Sequence, residues 1–250
     1  MIEIIRTFDS VFYFLITLLL FLFTRRLLSI DILLLLQKLT HSAHLAHKIH
    51  FILVMPGVFL HEFSHFLALR IMGVPSTLHL GIEMGQEAVV YGHVDFYEKD
   101  VNAFKHFITG IAPLLTGLLS TTFLATQFMG VPSIQELIES QGQINFQSIL
   151  DQTEKIIFWI AFYLLFAIAS EMLPSASDRK YWLPLAGFVL LLMILSLLTN
   201  MYPWLLANIY PFLNNWLKVL AMIFTICLIP QLILLIPLRL LRSLTSLRHA

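Results

Sequence analysis

His61, Glu62, Phe63, Ser64 and His65 stand within residues 49–72, an otherwise mostly apolar stretch long enough to cross a bilayer. Two imidazoles and a carboxylate at membrane depth cost roughly 2.5 to 3.5 kcal/mol each, which marks them as functional candidates. On a helix, positions i and i+4 lie one above the other, so His61 and His65 can offer ring nitrogens to one metal ion. Glu62 is turned about 100° away, beside the open side of such an ion rather than in its ligand set. This combination sets a zinc-held water, its pKa lowered toward about 7, next to a carboxylate able to take its proton. Ten histidines and nine glutamates in 250 residues make a chance His-Glu-x-x-His an event of about 1 to 2% probability. The rival account, buried histidines bonded to neighbouring helices with Glu62 protonated or paired, must absorb the burial of three groups at once.

The second chemical feature is Ser170, Glu171, Met172, Leu173, Pro174, Ser175, Ala176, Ser177 and Asp178. Pro174 pushes its predecessor out of helical geometry, so an apolar helix over 156–173 is expected to stop there and leave irregular backbone. Such backbone at membrane depth is tolerated only where it lines a cavity or packs in protein. If 49–72 and 156–173 are the second and fourth spans, they run parallel and end on one face of the membrane. The motif then lies about 10 to 15 Å inside that face, within reach of a residue just beyond Pro174. Asp178 is the candidate third ligand, completing two histidines and one carboxylate around an ion with an open fourth position. Glu171, one turn earlier, is the alternative, and Asp178 would then cap a loop beside Arg179 and Lys180.

These groups need elements to hold them, and the composition says which kind. The chain is 58% hydrophobic and only 12% charged, with a mean hydropathy of +0.85. A soluble domain is about 45 to 50% apolar and 25% charged, so this is a membrane protein. Fifteen basic and fifteen acidic residues balance, which gives no electrostatic footprint for nucleic acid. Cys227 is the only cysteine, so disulfides within the chain and thiolate metal sites are excluded, and a metal must use nitrogen and oxygen ligands.

The expected fold is an all-α polytopic membrane protein of about six transmembrane helices with a small β-hairpin after the second. A first span over 8–23 is followed by Arg25 and Arg26 with no small-residue cleavage site, so it reads as uncleaved. Residues 27–39 are apolar but interrupted by Asp31; they either extend that helix or lie at the interface. His41, His44, His47 and His50 recur every third residue. Nine helical residues turn through about 900°, so the first and last of the set face opposite sides, which favours a wet interfacial helix start over a metal relay or pH sensor.

After the motif span, Gly73, Val74 and Pro75 read as a turn. Strands are expected over 77–82 and 88–97, with Gly92 interrupting the second; the hairpin either gives an extended ligand backbone access at Gly92 or is a simple connector. A third span over 104–128 carries Gly110, Pro113 and Gly117, whose small residues allow close helix packing. Residues 131–154 are polar and read as an exposed loop with one or two amphipathic turns. Spans over 183–198 and 217–238 complete the six, separated by an aromatic turn containing Tyr202, Trp204, Tyr210 and Trp216. The regions are therefore 1–48, a first helix and interfacial segment; 49–178, the core bearing the chemistry; and 179–250, two helices and a basic tail. With the N-terminus inside, nine basic residues fall on the inner side against six outside, which predicts a site opening toward the cytoplasm.

From 49 to 178 the chain resembles the site-2 protease family of intramembrane zinc metalloproteases: a His-Glu-x-x-His helix, a hairpin, a Gly/Pro-containing helix, then a Pro and an Asp ending the next helix. The resemblance implies one Zn2+ per chain, His61 and His65 as ligands, Glu62 as general base, Asp178 as third ligand, and transmembrane segments of other membrane proteins as substrates. Members commonly show Asn-x-x-Pro, four residues, then Asp-Gly. Here Glu171 stands at the asparagine, three residues separate Pro174 from Asp178, and Arg179 replaces the glycine. Two other readings are open. One is a protease-like protein that binds membrane clients without cleaving them, and the other is a metal transporter with His41 to His50 as its vestibule.

Overall fold

The computed structural model describes residues 9–85, 89–139, 145–175 and 177–247. The chain is mostly helical, with one two-stranded antiparallel sheet. Helix α1 (Asp9–Thr40) runs unbroken for 32 residues, about 48 Å, so the apolar stretch around Asp31 extends the first helix. Asp31 is 3% exposed on its side chain and is held by Arg239 Nε at 3.0 Å and Arg242 Nη1 at 2.5 Å. Those two arginines, expected as a basic tail, are the counter-ions of a buried carboxylate.

Helix α2 (Ala43–Ile71) starts at Ser42, whose hydroxyl accepts from Leu45 N, and carries the motif. It ends where Gly73 takes the left-handed φ of 74°. There Val74 N donates to Leu69 O and Gly73 N to Arg70 O, the paired bonds of a Schellman cap, and Leu69 packs on Val74 and Val101. The chain reverses into β1 (Ser76–Met84) and β2 (Val89–Phe96), which pair with His79 opposite His93 and Leu80 opposite Gly92. Beyond Leu80 the register slips, so that Glu83 faces Val90; the extra residue lies in β1, at Gly81 and Ile82 opposite Tyr91, and β2 runs through Gly92 without the expected interruption. The tip at 86–88 lies outside the described residues.

Helix α3 (Ala103–Phe128) is capped by Asn102, whose side chain accepts from Lys105 N. The polar stretch that follows contains two short helices, α4 (Ile134–Glu139) and α5 (Phe146–Leu150), with 140–144 outside the described residues. Helix α6 (Ile156–Glu171) is apolar but only 16 residues, about 24 Å, shorter than the roughly 30 Å of hydrocarbon. Helix α7 (Trp182–Leu198) leads to α8 (Tyr202–Asn208) through a 115° bend, and α9 (Tyr210–Leu247) closes the fold. Tyr210 and Trp216, expected in a turn, are therefore in the first turns of the last helix.

Among the described residues four helices, α1, α2, α3 and α9, are long and apolar enough to cross a membrane, and the bent pair α7 and α8 makes a fifth if counted as one span. The packing gives their directions. Ser10 bonds Asn214, Tyr13 meets Thr225 at 3.2 Å, and Asp31 meets Arg239, so α1 and α9 run parallel. Gly57 lies against Ala167 and His61 against Glu171, so α2 and α6 run parallel, as expected. Phe21 clusters with Ala169 and Met172, and Leu28 with Phe166 and Ala167, so α6 opposes α1. Gly110 lies against Asp178 and Gly117 against Met172, so α3 opposes α6. The directions alternate through α1, α2, α3, α6 and α9 with no need of α7. The apolar stretch 183–198, expected as a crossing, has Phe188, Leu191, Ile194 and Leu198 exposed and folds back at the bend. Because α9 parallels α1, Arg239 and Arg242 lie at the end opposite the start of α1.

Removing the Asp31 carboxylate leaves two guanidinium groups without their shared acceptor. Asp31→Ala is expected to destabilise the detergent-solubilised chain by about 2 to 3 kcal/mol, and each single arginine replacement by less, read from thermal unfolding.

Candidate metal centre

The motif occupies the face of α2 that meets α3 and α6. His61 Nδ1 lies 2.7 Å from the carbonyl oxygen of Glu171, and His65 Nδ1 lies 2.9 Å from that of Thr109. A carbonyl only accepts, so each Nδ1 carries the proton and each Nε2 presents its lone pair. Both carbonyls are free to accept for a structural reason. Glu171 ends α6, where the last carbonyls have no partner in the helix. Thr109 lies four residues before Pro113, which has no N–H to donate back to it.

The two Nε2 atoms face each other at 3.1 Å. Asp178 completes the group, with Oδ1 at 3.3 Å from His65 Nε2 and Oδ2 at 3.7 Å from His61 Nε2. Atoms that share one tetrahedral zinc at about 2.0 to 2.1 Å stand about 3.4 Å apart, so all three separations suit a common ion. Two lone pairs at 3.1 Å repel unless a cation lies between them, and the neighbouring carboxylate favours one. The Asp178 carboxylate also accepts from the Ser175 N–H at 2.7 Å, which fixes its orientation. The donor set of two imidazoles and a carboxylate fits zinc.

Asp178 reaches this position because α3 has no side chain at Gly110: a Cβ there would collide with the Asp178 carbonyl. Glu171, the alternative ligand, turns its carboxylate to Arg25, with Nη2 at 3.9 Å, and offers His61 only its carbonyl. Arg25 Nε also donates to the Ser170 carbonyl. Glu62 lines the same cavity, of about 760 Å³, whose wall includes β2 from Val89 to Val94. Gly92 lies directly against it, since a Cβ on Gly92 would stand 2.8 Å from Glu62 Cγ.

The histidine series divides. His41 and His44 are exposed, whereas His47 and His50 both place Nδ1 3.0 Å from the Tyr91 hydroxyl and so hold β2 against α2. Burial, with the Glu171 charge, pushes the Tyr91 phenol up to about 12, so it stays neutral and can donate to one ring while accepting from the other. The sequence carried a signal for this pair, since residues 47 and 50 share a helix face. Nothing in it marked Arg25 or the Thr109 carbonyl. Comparison with protein-family models, with characterised proteins and with solved structures finds no match.

Three replacements test the construction of the centre. Asp178→Ala is expected to weaken bound zinc by at least about 10²-fold while Glu171→Gln keeps it, by elemental analysis after dialysis. Pro113→Ala restores an N–H that competes for the Thr109 carbonyl and is expected to weaken zinc by about tenfold with the fold intact.

Proposed function

We propose that the chain is an intramembrane zinc endopeptidase, resembling site-2 proteases, that hydrolyses peptide bonds in or near transmembrane segments of other membrane proteins. The observation that carries this reading is the convergence of His61, His65 and Asp178 at ion-sharing distances beside Glu62 and a strand edge. The membrane is crossed five times, by α1, α2, α3, α6 and α9, with α7 and α8 as a re-entrant or interfacial pair. The short α6 then ends below the surface, and Glu171, Asp178 and the motif share that depth. The cavity opens toward the side on which α1 begins.

Zinc held by His61, His65 and Asp178 would supply Lewis acidity toward a water and a substrate carbonyl. The chain's own residues do the rest. β2 lines the cavity with one edge not covered by β1, so a locally unwound substrate segment can pair with it as a third strand. The absent side chain at Gly92 lets that segment's backbone come within reach of Glu62. Glu62 accepts a proton from water as its oxygen bonds to the carbonyl carbon, and returns that proton to the amine nitrogen as the C–N bond breaks. Arg25 lies across the cavity, paired with Glu171, where it can donate to a substrate carbonyl. The same Arg25–Glu171 pair replaces the asparagine expected by resemblance, and this departure favours client binding without cleavage as the second reading.

A single-span test protein carrying helix-breaking residues, reconstituted with the purified chain, separates the two. Cleavage is expected with the wild type, with Glu62→Gln lowering it by about 10²- to 10⁴-fold at unchanged zinc content. Gly92→Val is expected to keep zinc and lose most of the turnover. Binding of the test protein without cleavage, unaffected by zinc removal, would instead establish client binding.

A further inference from the structure

We propose that His79, His93 and Asp95 form a second transition-metal site on the hairpin, sharing no ligand with the cleft centre although His93 also lines the cavity. His79 and His93 are directly opposed across the two strands, and Asp95 lies two residues along from His93, so all three share one face of the sheet. Their ligand atoms lie within 4.8 Å of one another. His79 Nε2 is 3.2 Å from Asp95 Oδ2, and His93 Nε2 is 3.7 Å from Asp95 Oδ1, bracketing the roughly 3.4 Å between two atoms on one zinc. The two rings stack with centroids 5.1 Å apart. A fourth residue supports the arrangement. Glu83 Oε1 lies 3.7 Å from His93 Nδ1, on the far side of that ring, where a carboxylate orients a metal-binding imidazole.

Ordinary ion pairing accounts for this cluster less well. One carboxylate would have to serve two imidazoles. A metal ion binds the neutral ring and the carboxylate together. The position adds to the argument. Gly92, adjacent to His93, packs on Glu62, so the cluster is level with the cleft motif rather than out at the hairpin tip. If α2 spans the bilayer, three ionisable groups at that level need neutralising partners. Two nitrogens and one oxygen select zinc, nickel, cobalt or copper over magnesium and calcium. Each cleft histidine has a carbonyl on its second nitrogen, whereas among the described residues His79 has no partner there. The hairpin site is therefore weaker than the cleft by about 10- to 100-fold.

The site does not depend on the cleft being a peptidase, and the test keeps the two apart. Untagged full-length chain is stripped with chelator and titrated with Zn2+ by calorimetry, with ion content checked by elemental analysis. The wild type is expected to take two ions of unequal affinity. His79→Gln with Asp95→Asn, at exposed positions, is expected to keep the tight ion and lose the weak one; His61→Gln with His65→Gln is expected to do the reverse. Uptake by the wild type of a single ion that the His79/Asp95 variant keeps, or of two ions by that variant, would overturn the proposal.

Discussion

The centre depends on two backbone carbonyls that lack helical partners. Imidazoles on adjacent turns of a helix would by themselves choose either tautomer and many rotamers. Here the Glu171 carbonyl takes one Nδ1 proton and the Thr109 carbonyl takes the other, and both Nε2 lone pairs are thereby pointed at the same space. The helices pack as they do in service of this. α6 must stop at Glu171, and α3 must carry Pro113 four residues after Thr109, although a proline inside a helix costs on the order of 3 kcal/mol. The hydrogen bond from His65 Nδ1 to the Thr109 carbonyl offsets part of that cost, and close packing around α3 offsets more.

Length acts alongside hydrogen bonding. α6 is about 24 Å long while α1 and α2 exceed 40 Å, so in a common bilayer α6 ends inside the hydrocarbon layer. Irregular backbone there is acceptable because it lines a cavity and packs on Gly110. The Asp178 anion is thus carried to the depth of the histidines without a charged residue inside α6 other than Glu171 at its end.

Much of this was legible in the sequence, for identifiable reasons. The i, i+4 histidines, the stop near Pro174 and the strand alternation after Gly73 are local patterns, and the structure places helix, break and hairpin where those patterns put them. The pairing of Asp178 with the motif followed from parallel helices and depth, both of which are countable. The number of crossings is the less local quantity: among the described residues four helices are long and apolar enough, or five with the bent pair. Hydropathy counts any apolar run of sufficient length, and residues 183–198 have that composition; their direction depends on α9 packing parallel to α1, a contact between the two ends of the chain. The partners of Asp31 were hidden for the same reason, since an aspartate in an apolar stretch reads as an interruption until arginines some 200 residues away are brought beside it.

Arg25 and Glu171 follow the same logic and bear on the least expected residue of the site. An asparagine at 171 would be neutral and could donate through its amide. A glutamate there can only accept when ionised, and at that depth it requires a cation. α1 supplies one from its middle, where Arg25 would otherwise be the costly group, and each thereby neutralises the other. The guanidinium has five N–H groups, of which the Ser170 carbonyl and the Glu171 carboxylate use some, so donors remain on the cavity side. The hydrogen-bond donors at this end of the cavity are therefore on α1 rather than on α6. The first helix, which contributes nothing to the motif, thus becomes part of the wall that a substrate backbone would face.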